Sequence, residues 1–253
     1  MQFGQGWDDT APDRFSSNLD ATLAEISRHN ADLILLQEVE HAQDGGRQIQ
    51  PPPNYMRLRA GMPGYDSWFA YPREDPRELP FGIGLAIFSR TPLTSRIRID
   101  IPSPPIEFDF FGKKTTPTDR VMIGARTMLQ GREVEVLNVH LLAFFMLGSS
   151  IMAHPEQIEL VGNHLGSSTV PTIVGGDFNV KSHKVLMESF GARGYRTVQH
   201  EKTTWRRQPL VLDHIFCNRS FRCVQNSVVP TKASDHHVLI ADLEFADAQG
   251  APA

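Results

Sequence analysis

Pro171-Thr-Ile-Val-Gly-Gly-Asp177-Phe-Asn179 is the stretch whose reading decides the fold. A β-branched apolar run between proline and a glycine pair reads as a buried strand that ends in a tight turn. At a strand's two-residue repeat, Asp177 and Asn179 are expected on the same side. A carboxylate and an amide converging at a strand end, beside glycine that admits close approach, suit the activation of water at a phosphorus or carbonyl centre. The same pair would equally serve as a turn in which both side chains cap local backbone. The rest of the chain weighs on that choice.

At 253 residues there is room for one large domain or two small ones. Hydrophobic residues make up 40% and charged residues 21%, the balance of a soluble globular protein. A net charge of −4 argues against a broad basic groove for nucleic acid, although a local patch is compatible with it. Cys217 and Cys223 have no metal-site spacing and are expected as reduced, buried thiols rather than a bridge across a hairpin. The sequence opens without a basic and apolar leader pattern, and no run reaches the ~18 apolar residues of a membrane span. A cytoplasmic location is therefore the default expectation, with a leader removed by processing still compatible.

Outward from the organising stretch, Phe15, Leu19, Leu23 and Ile26 recur at spacings of three and four, which predicts an amphipathic helix from Asp13 to Asn30. Asp32-Leu-Ile-Leu-Leu36 is a buried strand with Gln37-Glu38 at its end, and helix followed by apolar strand favours a layered α/β arrangement. Residues 41–64, rich in Gln, Gly and Pro, read as a surface loop holding a short helix at most. Strands are predicted at Tyr65–Tyr71, Gly82–Phe88, Leu93–Ile101, Val121–Leu129 and Glu133–Val139, an antiparallel succession, with a second long loop over 102–119. Helices are predicted at Pro155–Leu165 and Lys184–Phe190, flanking the organising strand. Leu210–Cys217, Phe221–Val229 and Val238–Phe245 are the closing strands, and the tail past Ala246 reads as frayed. No repeat or linker divides the chain, so residues 1–253 are expected to form one domain.

Five short stretches share one grammar, an apolar strand ending in a polar, ligand-type residue. They are Leu36-Gln-Glu38, Leu137-Asn-Val-His140, Gly176-Asp-Phe-Asn179, Leu212-Asp-His214 and Ser234-Asp-His-His237. Such strand ends gather along one rim, where ligands bind. From about residue 13 to 245, and in the same motif order, the chain resembles the endonuclease/exonuclease/phosphatase superfamily, with Gly-Asp-Phe-Asn and Ser-Asp-His as the most specific pair. The superfamily includes abasic-site endonucleases, neutral sphingomyelinases, inositol-polyphosphate phosphatases and deadenylases. The resemblance implies a four-layered α/β/β/α sandwich with two mostly antiparallel sheets.

It also implies roles. Glu38 and Asp235 would be ligands of Mg²⁺ or Mn²⁺, as hard cations take carboxylate oxygens. Asp177 would orient or deprotonate the attacking water, and Asn179 would hold the water or a phosphate oxygen. His236 would contact the phosphoryl oxygens, with Asp213 fixing its tautomer and favouring its charged form. His140 stands where relatives place a His or Tyr against the phosphate. His214 and His237, each next to a site residue on its strand, should face away and be structural. His154, His164 and His183 are expected to be solvated, and Trp205 to line either the cleft or the core.

One departure bears on activity. Members of the superfamily open with a strand ending in an Asn ligand shortly before a Gly, and here Gln2-Phe3-Gly4 corresponds to the residues just after that Asn. Either the chain continues upstream, or the first strand and one ligand are lacking, with Gln2 or Gln5 as substitute amides. The leading functional expectation is a metal-dependent phosphoesterase, a monomer, acting on a small or lipid-like phosphoester. The alternatives are a nuclease, for which Arg57, Arg59, Lys113-Lys114 and Arg206-Arg207 are the only basic clusters, and a non-hydrolytic binding protein on the same fold. The apolar stretches Ile106–Phe111 and Leu141–Leu147 favour a substrate with an apolar group, unless the second of them is buried as core.

Overall fold

The computed structural model describes residues 1–11 and 16–246. Helix α1 (Leu19–His29) leads into strand β1 (Leu33–Leu36), followed by β2 (Glu40–His41), helix α2 (Pro53–Gly61), β3 (Asp66–Ala70), β4 (Gly82–Ile83), β5 (Leu85–Ser89) and β6 (Thr94–Ile101). A hairpin of β7 (Phe108–Phe110) and β8 (Lys113–Thr115) precedes the long strands β9 (Arg120–Leu129) and β10 (Arg132–His140), helix α3 (Glu156–Ser167) and β11 (Thr172–Asp177). Helix α4 (His183–Gly191), β12 (Tyr195–Thr197), β13 (Asp213–Asn218), β14 (Phe221–Val229) and β15 (Val238–Phe245) complete the order.

Two sheets lie face to face. One has the order β1-β5-β3, the other β12-β13-β11-β10-β9-β6, and β14-β15 form a separate ribbon. Every pairing among the described residues is antiparallel except β10 with β11. Strand alternation builds the layers. Leu85 and Ile87 of β5 meet Val121, Ile123, Val136 and Ile173 between the sheets. Ala86 and Phe88 of the same strand turn outward to Leu19 and Leu58 of the first two helices. On the far side, Leu137, Val139 and Val174 pack beneath Ile158 and Val161 of α3 and Phe190 of α4. The layers are therefore α/β/β/α, each fully buried Leu- or Phe-sized side chain contributing about 1.5–3 kcal/mol.

The local departures from expectation have local causes. Helix α1 begins at Leu19 because Asn18 accepts a hydrogen bond from the Ala21 amide, and it ends at Asn30 in the left-handed region. Asp13 and Phe15, and the tail beyond Ala246, lie outside the described residues. The short helix expected within 41–64 is α2, with Pro53 at its first position. The predicted strand from Gly82 to Phe88 breaks at Gly84, which has φ +81°. The loop expected over 102–119 contains the β7–β8 hairpin, turning through Phe111 and Gly112, both at positive φ. The strand expected from Leu210 starts only at Asp213, because residues 204–210 fold as a turn closed by Trp205 on Leu210. Leu141, Leu142 and Phe144 are buried, so that stretch is mainly core, with Met146 left 66% exposed. Cys217 is buried but Cys223 only half so, and both thiols are free.

Gln2–Gly4 form a 3₁₀ turn, and the Met1 amino group donates to the Gln37 carbonyl at 2.8 Å. The edge of β1 away from β5 and the edge of β15 away from β14 have no strand partner among the described residues. Between them lies a cleft of about 640 Å³, lined along its length by Leu33, Leu35, Leu239 and Ile240 and reaching Glu38, Asp177 and His236. No helix among the described residues is long and apolar enough to cross a membrane.

Candidate active site

Parallel pairing of β10 with β11 sets His140 opposite Asp177, and antiparallel pairing of β11 with β13 sets Asp213 opposite the same residue. Strand register alone thus draws three site residues to one rim. Gly176 makes the approach feasible, since it has φ +152° and a Cβ there would lie 1.9 Å from the Val139 carbonyl.

Asn179 reaches Asp177 by a route other than the strand pleat. The strand ends at Asp177, and Asn179 turns into the left-handed region at φ +52°. Its amide N–H donates to Asp177 Oδ1 (2.9 Å), and its side-chain Nδ2 donates to Asp177 Oδ2 (3.1 Å) and to the Leu141 carbonyl (3.0 Å). Convergence and capping are here one arrangement. Both acceptors require the NH₂ group, so the amide oxygen is what remains for a ligand. That suits holding a water and leaves no free donor for a phosphate oxygen.

His236 is held from both ends. Its backbone N–H donates to Ser234 Oγ (3.1 Å), and its Nδ1 lies 2.7 Å from Asp213 Oδ2. Burial alone would lower the imidazole pKa, but the Asp213 charge and hydrogen bond, then Asp177 and Asp235, raise it to about 10. Burial would raise the Asp213 carboxyl, and the His236 charge and hydrogen bonds outweigh it, so its pKa falls below the ordinary value. Asp177 goes the other way, raised by burial and by the neighbouring charge of Asp213. His140, with Nε2 3.7 Å from Asp177 Oδ2, is pushed down to about 3 by burial and by the Arg120 charge. The two imidazoles are thus shifted in opposite directions, His236 upward and His140 downward.

Asp235 is fixed by groups that the sequence reading did not assign. Trp205 Nε1 donates to its Oδ2 at 3.2 Å, and Arg207 Nε stands 3.7 Å from the same oxygen. Fully buried Thr204 accepts at Oγ1 from the amides of Leu212 and Asp213, both at 3.0 Å. Thr204-Trp205 is therefore a strap that seats Asp213 and Asp235 together. Trp205 belongs to both the core and the cleft wall, being 8% exposed with its ring 6.3 Å from that of His236.

Glu38 follows β1 in the left-handed region, at φ +54°, a costly conformation for a residue with a long side chain. Asn138 braces that end. It is fully buried, donates from Nδ2 to the carbonyls of Leu36 and Ala86 (both 2.9 Å), and accepts from Gln37 Nε2 (2.6 Å), tying the two sheets together. Gly82 backs Glu38 so closely that a Cβ would lie 2.4 Å from that of Glu38. Burial raises the Glu38 pKa, with the Asp235 charge adding to it and the Met1 ammonium and His236 opposing.

The predicted residues thus meet at one end of the cleft. Asp177, Asp213 and His236 place ligand-type atoms within 4.8 Å of one another, His140 and Asn179 touch Asp177, and Glu38 and Asp235 feel each other's charge. Like charges at Glu38 and Asp235 repel unless a cation offsets them, and hard oxygen donors suit Mg²⁺ or Mn²⁺. His214 is buried away from this centre against Phe178 and Phe216, with Nδ1 3.1 Å from Thr197 Oγ1. His237 donates its backbone N–H to Thr204. Contrary to expectation, His164 is mostly buried beside Glu135 at 3.3 Å, and His154 stacks on Phe144.

A two-sheet sandwich with an acid–imidazole rim defines a class of phosphoester-processing proteins, and comparison with known proteins places the chain within it. Residues 3–236 match the model of the Endonuclease/Exonuclease/phosphatase family, and the chain belongs to that family. A UPF0294 protein from Yersinia pseudotuberculosis is 29% identical over 121 residues, 45% of this chain and 44% of that protein. The match thus spans less than half the length of this curated relative. Among solved structures, a family member from Beutenbergia cavernae superposes with a TM-score of 0.71 at 20% identity, covering 99% of this chain and 71% of that one. A mannosyl-6-phosphatase from Bacteroides thetaiotaomicron gives 0.68 at 16% identity over 96% and 97%. The human Nocturnin catalytic domain with bound sulfate gives 0.59 at 20% identity over 90% and 86%. At these identities the structural likenesses establish the fold.

Proposed function

We propose that this chain, acting as one domain, is a metal-dependent hydrolase of phosphoesters that carry an apolar group. The observation that supports the chemistry best is the split electrostatics of the rim, a carboxyl of raised basicity at Asp177 beside an imidazolium at His236. Glu38 and Asp235 would hold Mg²⁺ or Mn²⁺, which supplies Lewis acidity at the phosphoryl oxygens. Asp177 takes the proton of a water that Asn179 orients through its amide oxygen, and that water attacks phosphorus in line with the departing alkoxide. His236 donates from Nε2 to a phosphoryl oxygen while Asp213 holds its Nδ1, so the imidazolium meets charge building on that oxygen. His140, neutral, adds a hydrogen bond and no charge.

The substrate class rests on Phe81, Phe110 and Phe111. The ring pairs 81–110 and 110–111 pack edge to face at 5.5 and 4.8 Å, yet Phe111 is 95% and Phe81 48% exposed. Phe81 precedes Gly82, the residue against which Glu38 is seated, so in sequence the patch is one residue from the support of Glu38. Covering two such rings with an alkyl or prenyl tail would contribute roughly 3–6 kcal/mol. The test compares kcat/KM for a prenyl or acyl-chain phosphoester with that for abasic and single-stranded oligonucleotides at physiological salt. A preference for the lipid-like ester that falls at least tenfold in Phe110→Ser/Phe111→Ser is expected. Preference for the oligonucleotides, unchanged in that double variant, would move the assignment to a nuclease.

A further inference from the structure

We propose that Arg120 is a specificity-determining residue that receives the second negative charge of a phosphomonoester, so that the enzyme prefers monoesters to diesters. The inference rests on the hydrolase reading above and narrows its substrate.

Arg120 opens β9, and the β9–β10 register puts Val121 opposite His140, which leaves Arg120 one step further out on the same rim. Its charge is felt at both His140 and Glu38. Its ion pairing is nevertheless weak. The nearest carboxylate among the described residues, Glu78, has Oε1 3.9 Å from Nη1, beyond hydrogen-bonding distance, while its Oε2 accepts a 2.6 Å hydrogen bond from Thr118 Oγ1. Arg120 Nε is buried and has no hydrogen-bond partner among the described residues. A buried donor without an acceptor is costly, and a guanidinium presents its Nε and Nη hydrogens as a fork matched to two oxygens of a phosphate. Glu78 therefore holds the head group in place without occupying that fork.

Charge count points to the same ligand. A diester presents one negative charge, whereas a monoester at neutral pH presents nearly two. The additional charge needs an additional cation, and Arg120, whose Nε has no hydrogen-bond partner among the described residues, stands at the rim to supply it.

The experiment uses the full chain with Mg²⁺ or Mn²⁺ and two probes, p-nitrophenyl phosphate and bis(p-nitrophenyl) phosphate, with orthophosphate as competitive inhibitor and calorimetric ligand. In Arg120→Gln, the monoester-to-diester ratio of kcat/KM should fall at least tenfold and orthophosphate binding should weaken at least tenfold. Arg120→Lys, which keeps the charge but loses the fork, should fall between wild type and Arg120→Gln on both measures, and it carries the test if the Gln variant does not fold. Equal losses on both esters, or unchanged orthophosphate binding, would overturn the assignment. A wild type that cleaves only the diester would also overturn it while leaving a phosphoesterase. A wild type that cleaves neither ester would count against the hydrolase reading, and calorimetry with orthophosphate would still decide the role of Arg120.

Discussion

Replacing Asn138 by Leu tests whether the two sheets are joined by a polar tie behind the site. The side chains are similar in shape, so the change removes hydrogen bonds with little change in volume. Three bonds disappear, Nδ2 to the Leu36 and Ala86 carbonyls and Oδ1 from Gln37 Nε2. The site is fully buried, so the two carbonyls have no ready access to water. At about 1 kcal/mol net per bond, with orphaned carbonyls adding to it, the cost should be on the order of 3–4 kcal/mol. In a domain of this size, that lowers the melting temperature by roughly 6–16 °C. Urea unfolding should show a lower midpoint at an unchanged slope, which separates lost stability from an altered unfolded state. Because Gln37 precedes Glu38, the variant should also need more Mg²⁺ for half-maximal hydrolysis. A loss below 1 kcal/mol would refute the idea that Asn138 bears the joint between the sheets.

Glu38→Gln should abolish most divalent-dependent hydrolysis, and chelator should do the same to the wild type; full activity in either condition would count against Glu38 as a ligand. Asp177→Asn and His236→Ala should each lower kcat by ~10²-fold or more with the circular dichroism spectrum retained. In chelator, His236 should contribute stability that is complete below its unfolded pKa of 6.5 and is lost as pH rises through about 10, because its folded pKa is the higher one. Asp213→Asn should largely erase that alkaline loss, as followed by unfolding midpoints between pH 6 and 11. Gly82→Ala should displace Glu38, since its new methyl would lie 2.4 Å from the Glu38 Cβ, and weaken Mg²⁺ activation at least tenfold.

Much of the rim was legible because a strand end announces itself in one dimension. An apolar run stops, a ligand-type residue comes next, and Glu38, His140 and Asp177 obey that rule, whereas Asp213 opens β13 instead of ending a strand. The layers were legible for the same reason, since Ala86/Phe88 and Leu85/Ile87 alternate with the pleat. The hidden part depends on contacts between distant residues. Asn138 looks like any polar residue in a strand until Leu36 and Ala86 are brought against it. Thr204 and Trp205 acquire purpose only when the 234–237 segment docks. Arg120 drew no reading from the sequence, since neither its proximity to His140 nor its unpartnered Nε has a local signature. Asn179 was placed correctly beside Asp177, but by a left-handed turn that a period-two argument does not contain.

The scatter of the rim along the chain has a kinetic consequence. Gln37 meets Asn138 across 101 positions, and Glu25 accepts a hydrogen bond from Thr231 across 206. Closing loops of that length precedes any reward from the contacts they make, so folding is expected on the slow side for a domain of this size. During synthesis, the first sheet and its helices emerge well before His236, and no partial chain holds Asp177, Asp213 and His236 together. Catalytic competence should therefore appear in one late step, and the recovery of activity during refolding would report completion of the whole sandwich.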